Sequence, residues 1–189
     1  MTGHQAGKYR YAGRVIAGLG VLVATGLAAA GCGSDLGGGL QPNTVTAYEA
    51  ASAFSSTGHH VADLGGGRYR VTATGSAATP KARVEKIAMA RAAEFGVENN
   101  GKYFQPAAPQ FSIRCGKREY LEKGEKKTLP VRGYTVVQVD VAYSNTQTDP
   151  SYRAAKDVSE TLKAELQGEQ VADEARQAAT AEVTAQCGA

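Results

Sequence analysis

Tryptophan is absent from the 189 residues, and cysteine and histidine occur only three times each. Structural zinc sites recruit closely spaced cysteine and histidine ligands, and that spacing is absent here. The longest uncharged apolar stretch, from Val15 to Ala30, is shorter than the roughly 20 residues that a membrane-spanning helix needs. The sequence therefore argues against a structural zinc protein and against a permanent membrane span.

Acidic residues are also missing before Asp35, whereas Lys8, Arg10 and Arg14 make the N-terminus positive. The formal net charge of +3 comes from these residues, since the 21 basic residues less these three equal the 18 acidic ones. A neutral remainder gives no electrostatic basis for binding nucleic acid. With 42% hydrophobic and 21% charged residues, the composition is that of a globular protein.

The first residues have the pattern of an export signal, in which a basic start precedes an apolar stretch and small residues. The sequence Ala29-Ala30-Gly31-Cys32 resembles the lipobox of bacterial lipoproteins, usually Leu-small-small-Cys, with Ala29 in the leucine position. This resemblance implies cleavage after Gly31, lipidation of the Cys32 sulfur and anchoring by acyl chains such as palmitate. Two or more chains give stable attachment where one does not.

Gly33 stands where an aspartate would commonly retain a lipoprotein in the inner membrane, so the resemblance implies the outer membrane, with the protein facing the periplasm. Two alternatives stay open. One is an ordinary cleaved signal with Cys32 merely nearby, and the other is an uncleaved N-terminal anchor.

The sequence predicts three segments. Residues 1–31 are the signal peptide, residues 32–67 are a glycine-rich flexible tether, and residues 68–187 are an α+β periplasmic domain. Within the tether, apolar spacing allows a short helix over residues 44–54. We expect the domain to be a small antiparallel sheet packed against helices.

Alternating apolar residues predict strands over residues 68–74, 103–104, 111–115 and 134–144, with a hairpin turn at Lys123-Gly124. Thr79-Pro80 and Asp149-Pro150 each combine a capping side chain with a proline, which predicts the start of a helix. Gly96 and Gly168 are the predicted helix ends. The alanine-rich stretch 169–186 predicts a last helix, whose apolar side, Ala175, Ala179 and Val183, packs on the sheet or receives a partner helix.

Two blocks resemble a family of small proteobacterial lipoproteins of unknown function. They are Ala82-Arg83-Val84-Glu85 with residues 90–95, and the strand Val137–Tyr143 followed by residues 152–158. The resemblance spans residues 69–162. Members of the family share the lipobox, and the resemblance implies no catalytic motif. The order strand–helix–strand–strand is also similar, at the level of fold alone, to the envelope-stress sensor lipoprotein of the Rcs pathway.

Lipidation of Cys32 would leave Cys115 and Cys187, and an even remainder in an exported chain favours a disulfide bond. The alternative is two unpaired thiols. His59 and His60 are neighbours in an extended chain and point apart, so with Asp63 they would form at most a weak metal site. We expect a solvated loop pair, no metal and no cofactor.

No nucleophile elbow, zinc-protease motif or phosphate-binding loop is present, so the sequence predicts no catalytic residues and no enzyme. Asp140 and Glu85 are the only acid–base candidates, and strand and helix surfaces carry such residues by default. The basic residues around the hairpin turn alternate with Glu119, Glu122 and Glu125. They predict either a solvated tip or a contact with anionic lipopolysaccharide or peptidoglycan. These basic residues are Lys117, Arg118, Lys123, Lys126 and Lys127.

The sequence thus favours a lipid-anchored, non-enzymatic envelope protein that acts through protein or peptidoglycan contacts. An envelope-stress sensor or accessory subunit is the second hypothesis. A periplasmic small-ligand binder or enzyme is the third; a deep apolar pocket with convergent polar groups would favour it.

Overall fold

The computed structural model describes residues 44–53 and 55–187. These residues form an α+β fold in which an antiparallel sheet packs against three helices, as the sequence predicted. The signal peptide, Cys32 and the first part of the predicted tether lie outside the described residues. None of the described helices is long and apolar enough to span a membrane.

Nine elements follow one another along the described chain. They are β1 (Gly58–Gly65), β2 (Arg68–Ser76), α1 (Lys81–Glu98), β3 (Tyr103–Pro106), β4 (Gln110–Glu122), β5 (Glu125–Ser144), β6 (Arg153–Ala154), α2 (Ala155–Gly168) and α3 (Asp173–Cys187).

The long strand β5 organises the sheet. One edge of β5 pairs with β2, which in turn pairs with β1. The other edge pairs first with β4 and then, nearer its C-terminal end, with β3, which continues to β6. Because β2 ends opposite Tyr134, the part of the β4–β5 hairpin before that residue extends past the rest of the sheet. We call residues 116–132 the hairpin arm.

Alternation along the strands places their apolar side chains against α1. Helix α2 packs against α1, and α3 packs against β4 and β5. The buried positions on α1 are spaced three and four residues apart, as a core-facing helix requires. The largest side chains of this core are Phe104, Ile87, Val71, Val84, Val137 and Val139.

The folded domain begins earlier than predicted. Strand β1 lies within the stretch 32–67 that was expected to be a flexible tether, and it pairs with β2 along its whole length. Residues 44–51 are also fixed: the amide of Thr46 donates to the Thr79 hydroxyl, and the amide of Ala51 donates to the His59 carbonyl. The prediction of a tether is therefore wrong from residue 44 onwards. The short helix that the spacing allowed at 44–54 is not formed over the described residues 44–53.

Two predicted helix boundaries are displaced, and one predicted capping side chain bonds elsewhere. Gly96 lies inside α1 rather than beyond its end. Glycine is needed there because a Cβ would come within 2.8 Å of the Tyr143 ring. Thr79 makes no helix-capping bond, since its hydroxyl bonds residue 46. Asp149 accepts a hydrogen bond from the amide of Ser151 at 2.8 Å, and α2 begins only at Ala155. The end of α2 at Gly168 and the start of α1 after Pro80 agree with the prediction.

Candidate functional site

Cys115 and Cys187 form a disulfide bond that joins the end of α3 to the base of the hairpin arm. Their sulfurs are 2.06 Å apart and their Cα atoms 5.4 Å apart. The structure thus contains the bond that the cysteine count predicted. Cys32, the predicted lipidation site, lies outside the described residues, so its modification stays a prediction.

Apart from this disulfide bond, α3 makes few buried contacts with the rest of the domain. Val183 is its only buried residue, and Ala175 is exposed. Val183 fits over Gly133 of β5, where a Cβ would lie 2.0 Å from the Val183 Cγ1 atom. A glycine in the middle of this strand is therefore required by the close approach of the helix. The apolar side predicted for α3 packs on the sheet mainly at this one point.

The hairpin arm turns at Lys123 and Gly124, as predicted from the sequence. Both residues have positive φ, 52° and 86°, which is the conformation of the two-residue turn whose twist matches its strands. Leu121, next to the turn, is 70% exposed. A large apolar side chain is thus presented to solvent at the end of a projecting element.

The charges of the arm are only partly paired. Lys127 forms an ion pair with Glu122 across the hairpin. Among the described residues, Lys117, Lys123 and Lys126 form no ion pair. The tip therefore combines an exposed leucine with free ammonium groups.

A second polar group surrounds Glu94 on α1. Its carboxylate accepts hydrogen bonds from the Tyr48 hydroxyl at 2.6 Å, from Lys163 of α2 at 2.6 Å and from Arg91 at 2.9 Å. We call these four residues the Glu94 cluster. It ties residues 44–51 to both α1 and α2.

The cluster shifts the pKa values of its members. Burial alone would raise the pKa of Glu94, but the hydrogen bonds from Lys163, Tyr48 and Arg91 outweigh it and lower the pKa to about 2. Burial and the bond to Glu94 raise the pKa of Tyr48 well above its ordinary value. Shifted pKa values often mark catalytic groups, but ion-pair networks that hold a structure together produce them too. Here each shifted group is bonded to another member, which favours the structural role.

Replacing Glu94 with glutamine is expected to destabilise the protein by about 2 kcal/mol at pH 7, the scale of a lost charged hydrogen-bond group. Because the pKa of Glu94 is lowered on folding, its contribution is complete above the ordinary value of 4.5 and disappears as the pH falls towards 2. Urea unfolding at several pH values should show the difference between wild type and Glu94→Gln shrinking over that range. A constant difference down to pH 2 would contradict this assignment.

His59 and His60 do not form the solvated loop pair that was predicted. Both lie in β1, and His59 is 7% exposed with its ring 4.7 Å from that of Tyr48. Burial, and then the charge of Arg91, lower the pKa of His59. His60 points to the opposite face and is exposed. Within the described part of the chain, no group of three potential ligands is placed to hold a metal ion.

The two acid–base candidates do not meet. Asp140 accepts two hydrogen bonds from the Arg70 guanidinium, at 2.7 and 2.9 Å, and this contact lowers the pKa of Asp140. It lies on the sheet face opposite to Val139 and Val141, which are buried beneath α1. Glu85 is on α1, so the sheet separates the two carboxylates.

Comparison with models of protein families, with curated proteins and with solved structures gives no match to this chain. The resemblance to small lipoproteins therefore stays a prediction based on the residues quoted above. Function has to be argued from the site geometry.

Proposed function

We propose that this chain is a lipid-anchored protein of the bacterial envelope that binds a partner through its hairpin arm and has no catalytic role. The observation that carries the proposal is the arm itself. It projects past the sheet, it is fixed at its base by the Cys115–Cys187 bond, and it presents Leu121 beside unpaired lysines. Exposed apolar groups surrounded by charge are typical of interaction surfaces.

The charge of the arm indicates the chemistry of its partner. Glu119 and Glu125 are also without an ion pair among the described residues, so Lys117, Lys123 and Lys126 leave a small positive excess. This excess favours an acidic surface, and Leu121 adds an apolar contact. An acidic envelope protein or the carboxylate-bearing peptides of peptidoglycan both offer such a surface. The disulfide bond supports an oxidising compartment such as the periplasm.

Crosslinking in living cells tests the role of the arm. A photo-crosslinking amino acid at position 123 should capture a defined species, because Lys123 is at the tip and has no partner in the described structure. The same amino acid at position 156, on the exposed side of α2, is the matched control, since Lys156 is also solvent-exposed. Lysozyme digestion before electrophoresis should lower the apparent mass of the crosslinked product if the partner is peptidoglycan and leave that mass unchanged if the partner is a protein.

The same products from both positions, or no product from position 123, would overturn the proposed role of the arm.

The lipid anchor is tested separately. Palmitate labelling should disappear in Cys32→Ser and persist in Cys187→Ser, which removes another cysteine but not the lipobox. Label that persists in Cys32→Ser, or a wild-type protein without label, would overturn the anchor.

A further inference from the structure

A cleft of about 430 Å³ lies between α1, α2 and the connection from β3 to β4. Its apolar lining includes Met89 of α1, Leu162 of α2, and Pro106 and Pro109 of the connection. This volume lies within the range of roughly 300 to 1,000 Å³ that is usual for small-molecule sites. The cleft shares no residue with the hairpin arm.

The sequence builds this cleft from two fixed walls. On α1, Ala82, Glu85 and Met89 are spaced three and four residues apart, so they share one helix face. The opposite wall contains two prolines, whose rings fix the backbone φ angle. The amide of Ala107 between them donates to the Asp140 carbonyl at 2.8 Å, which anchors the connection to β5.

Two charges in the cleft lack the partners that their neighbours have. Lys86 lies within 3.5 Å of Glu165 and 3.3 Å of Glu169. Glu85 and Arg153 also line the cleft, but neither forms a side-chain hydrogen bond or ion pair with any described residue, nor do they pair with each other. A half-buried carboxylate and a solvent-exposed guanidinium, both without partners among the described residues, thus line the same open and partly apolar cleft.

We propose that this cleft binds a short peptide with free amino and carboxyl ends. Its ammonium group would pair with Glu85, its carboxylate would accept hydrogen bonds from the forked donors of Arg153, and an apolar side chain would contact Met89 and Leu162. A simple anion would be repelled by Glu85, and a simple cation by Arg153. A ligand that carries both charges satisfies both groups.

Titration calorimetry of the full chain with the tripeptide Ala-Leu-Ala tests this proposal. Acetylating the amino end or amidating the carboxyl end should each weaken binding about threefold to fivefold, because each modification removes one charge and an exposed ion pair contributes up to about 1 kcal/mol. In Glu85→Gln the free and acetylated peptides should bind alike, while amidation still weakens binding. In Arg153→Gln the pattern should be reversed.

The matched control is Glu160→Gln, which removes an exposed carboxylate of α2 whose nearest cation is Lys156 at 3.9 Å. It should leave all affinities unchanged. Measurements on the wild-type chain alone can overturn the proposal. They would do so if Ala-Leu-Ala did not bind at millimolar concentration, or if free and blocked peptides bound equally. Equal effects of Glu85→Gln and Glu160→Gln would also overturn it. None of these variants alters the hairpin arm, so crosslinking from position 123 is expected to be unchanged whichever result is obtained.

Discussion

Replacing Cys187 with serine is expected to lower the free energy of unfolding by about 4 kcal/mol. The Cys115–Cys187 bond closes a loop with a sequence separation of 72 residues, and loop-closure entropy assigns a bond of that span about this value. Because α3 buries only Val183, we also expect its C-terminal turn to detach from the hairpin arm. Urea unfolding followed by circular dichroism measures the first effect, and hydrogen exchange of residues 173–187 measures the second.

Several comparisons make this result specific to the bond. Cys115→Ser and the double variant should lose the same free energy as Cys187→Ser, since any one substitution removes the whole crosslink. Dithiothreitol should destabilise the wild type by the same amount and leave the variants unchanged. Alkylation of the unfolded protein without reductant should add no alkyl group at these two positions. If both thiols were alkylated, the purified protein would not contain this bond.

The helix α1, the strand β2, residues 134–144 of β5 and the turn at Lys123-Gly124 were predictable because each follows from a local pattern. Strand β1 was not. Its sequence, GHHVADLG, lacks regular apolar alternation, and pairing with β2 rather than burial of one face holds it in the sheet. Residues 44–51 were not predicted for a related reason. The Thr46 hydroxyl accepts a hydrogen bond from the Ser76 amide and the Tyr48 hydroxyl donates one to Glu94, and such bonds leave no periodic signal in the sequence.

Predictions from local sequence patterns also failed where a residue contacts others that are distant in the sequence. Gly96 has the residue type of a helix end, but it serves the packing of Tyr143, whose hydroxyl donates to the Ala92 carbonyl at 2.7 Å. Likewise, the spacing of Arg91, Glu94 and Glu98 indicates ion pairs along one helix face. No pattern showed that Tyr48 and Lys163, 46 and 69 residues away from Glu94, would join them. The disulfide bond was predictable because the argument depends only on the number of cysteines left after Cys32 is set aside, and not on how far apart they are in the sequence.

Arg83 is also held by hydrogen bonds to residues distant in sequence, and its substitution is the second one expected to cause a large loss of stability. Arg83 carries a charge and yet is only 7% exposed. Its guanidinium donates to the carbonyl of Thr46 at 3.2 Å, to the carbonyl of Leu166 at 3.1 Å and to the carboxylate of Glu169 at 2.8 Å. One side chain therefore links residues 44–51, α1 and the end of α2.

Replacing Arg83 with methionine is expected to cost about 3 kcal/mol in the free energy of unfolding. Methionine retains much of the side-chain volume, but it leaves two buried carbonyls without a donor, and removing one partner of a buried charged network is strongly destabilising. Lys86 still pairs with Glu169, which keeps the loss towards the lower end of the range for such networks. Urea unfolding of the full chain measures the loss, and limited proteolysis should show earlier cleavage within residues 44–57.

The matched control is Arg176→Met, because Arg176 is 40% exposed and pairs only with Asp173 of its own helix. Exposed pairs contribute at most about 1 kcal/mol, so this variant should stay close to the wild type. Arg83→Lys should be intermediate, since an ammonium group keeps the charge but does not reproduce the planar fork that reaches three acceptors. Equal stability of Arg83→Met and Arg176→Met would mean that the Arg83 guanidinium does not help to hold residues 44–51.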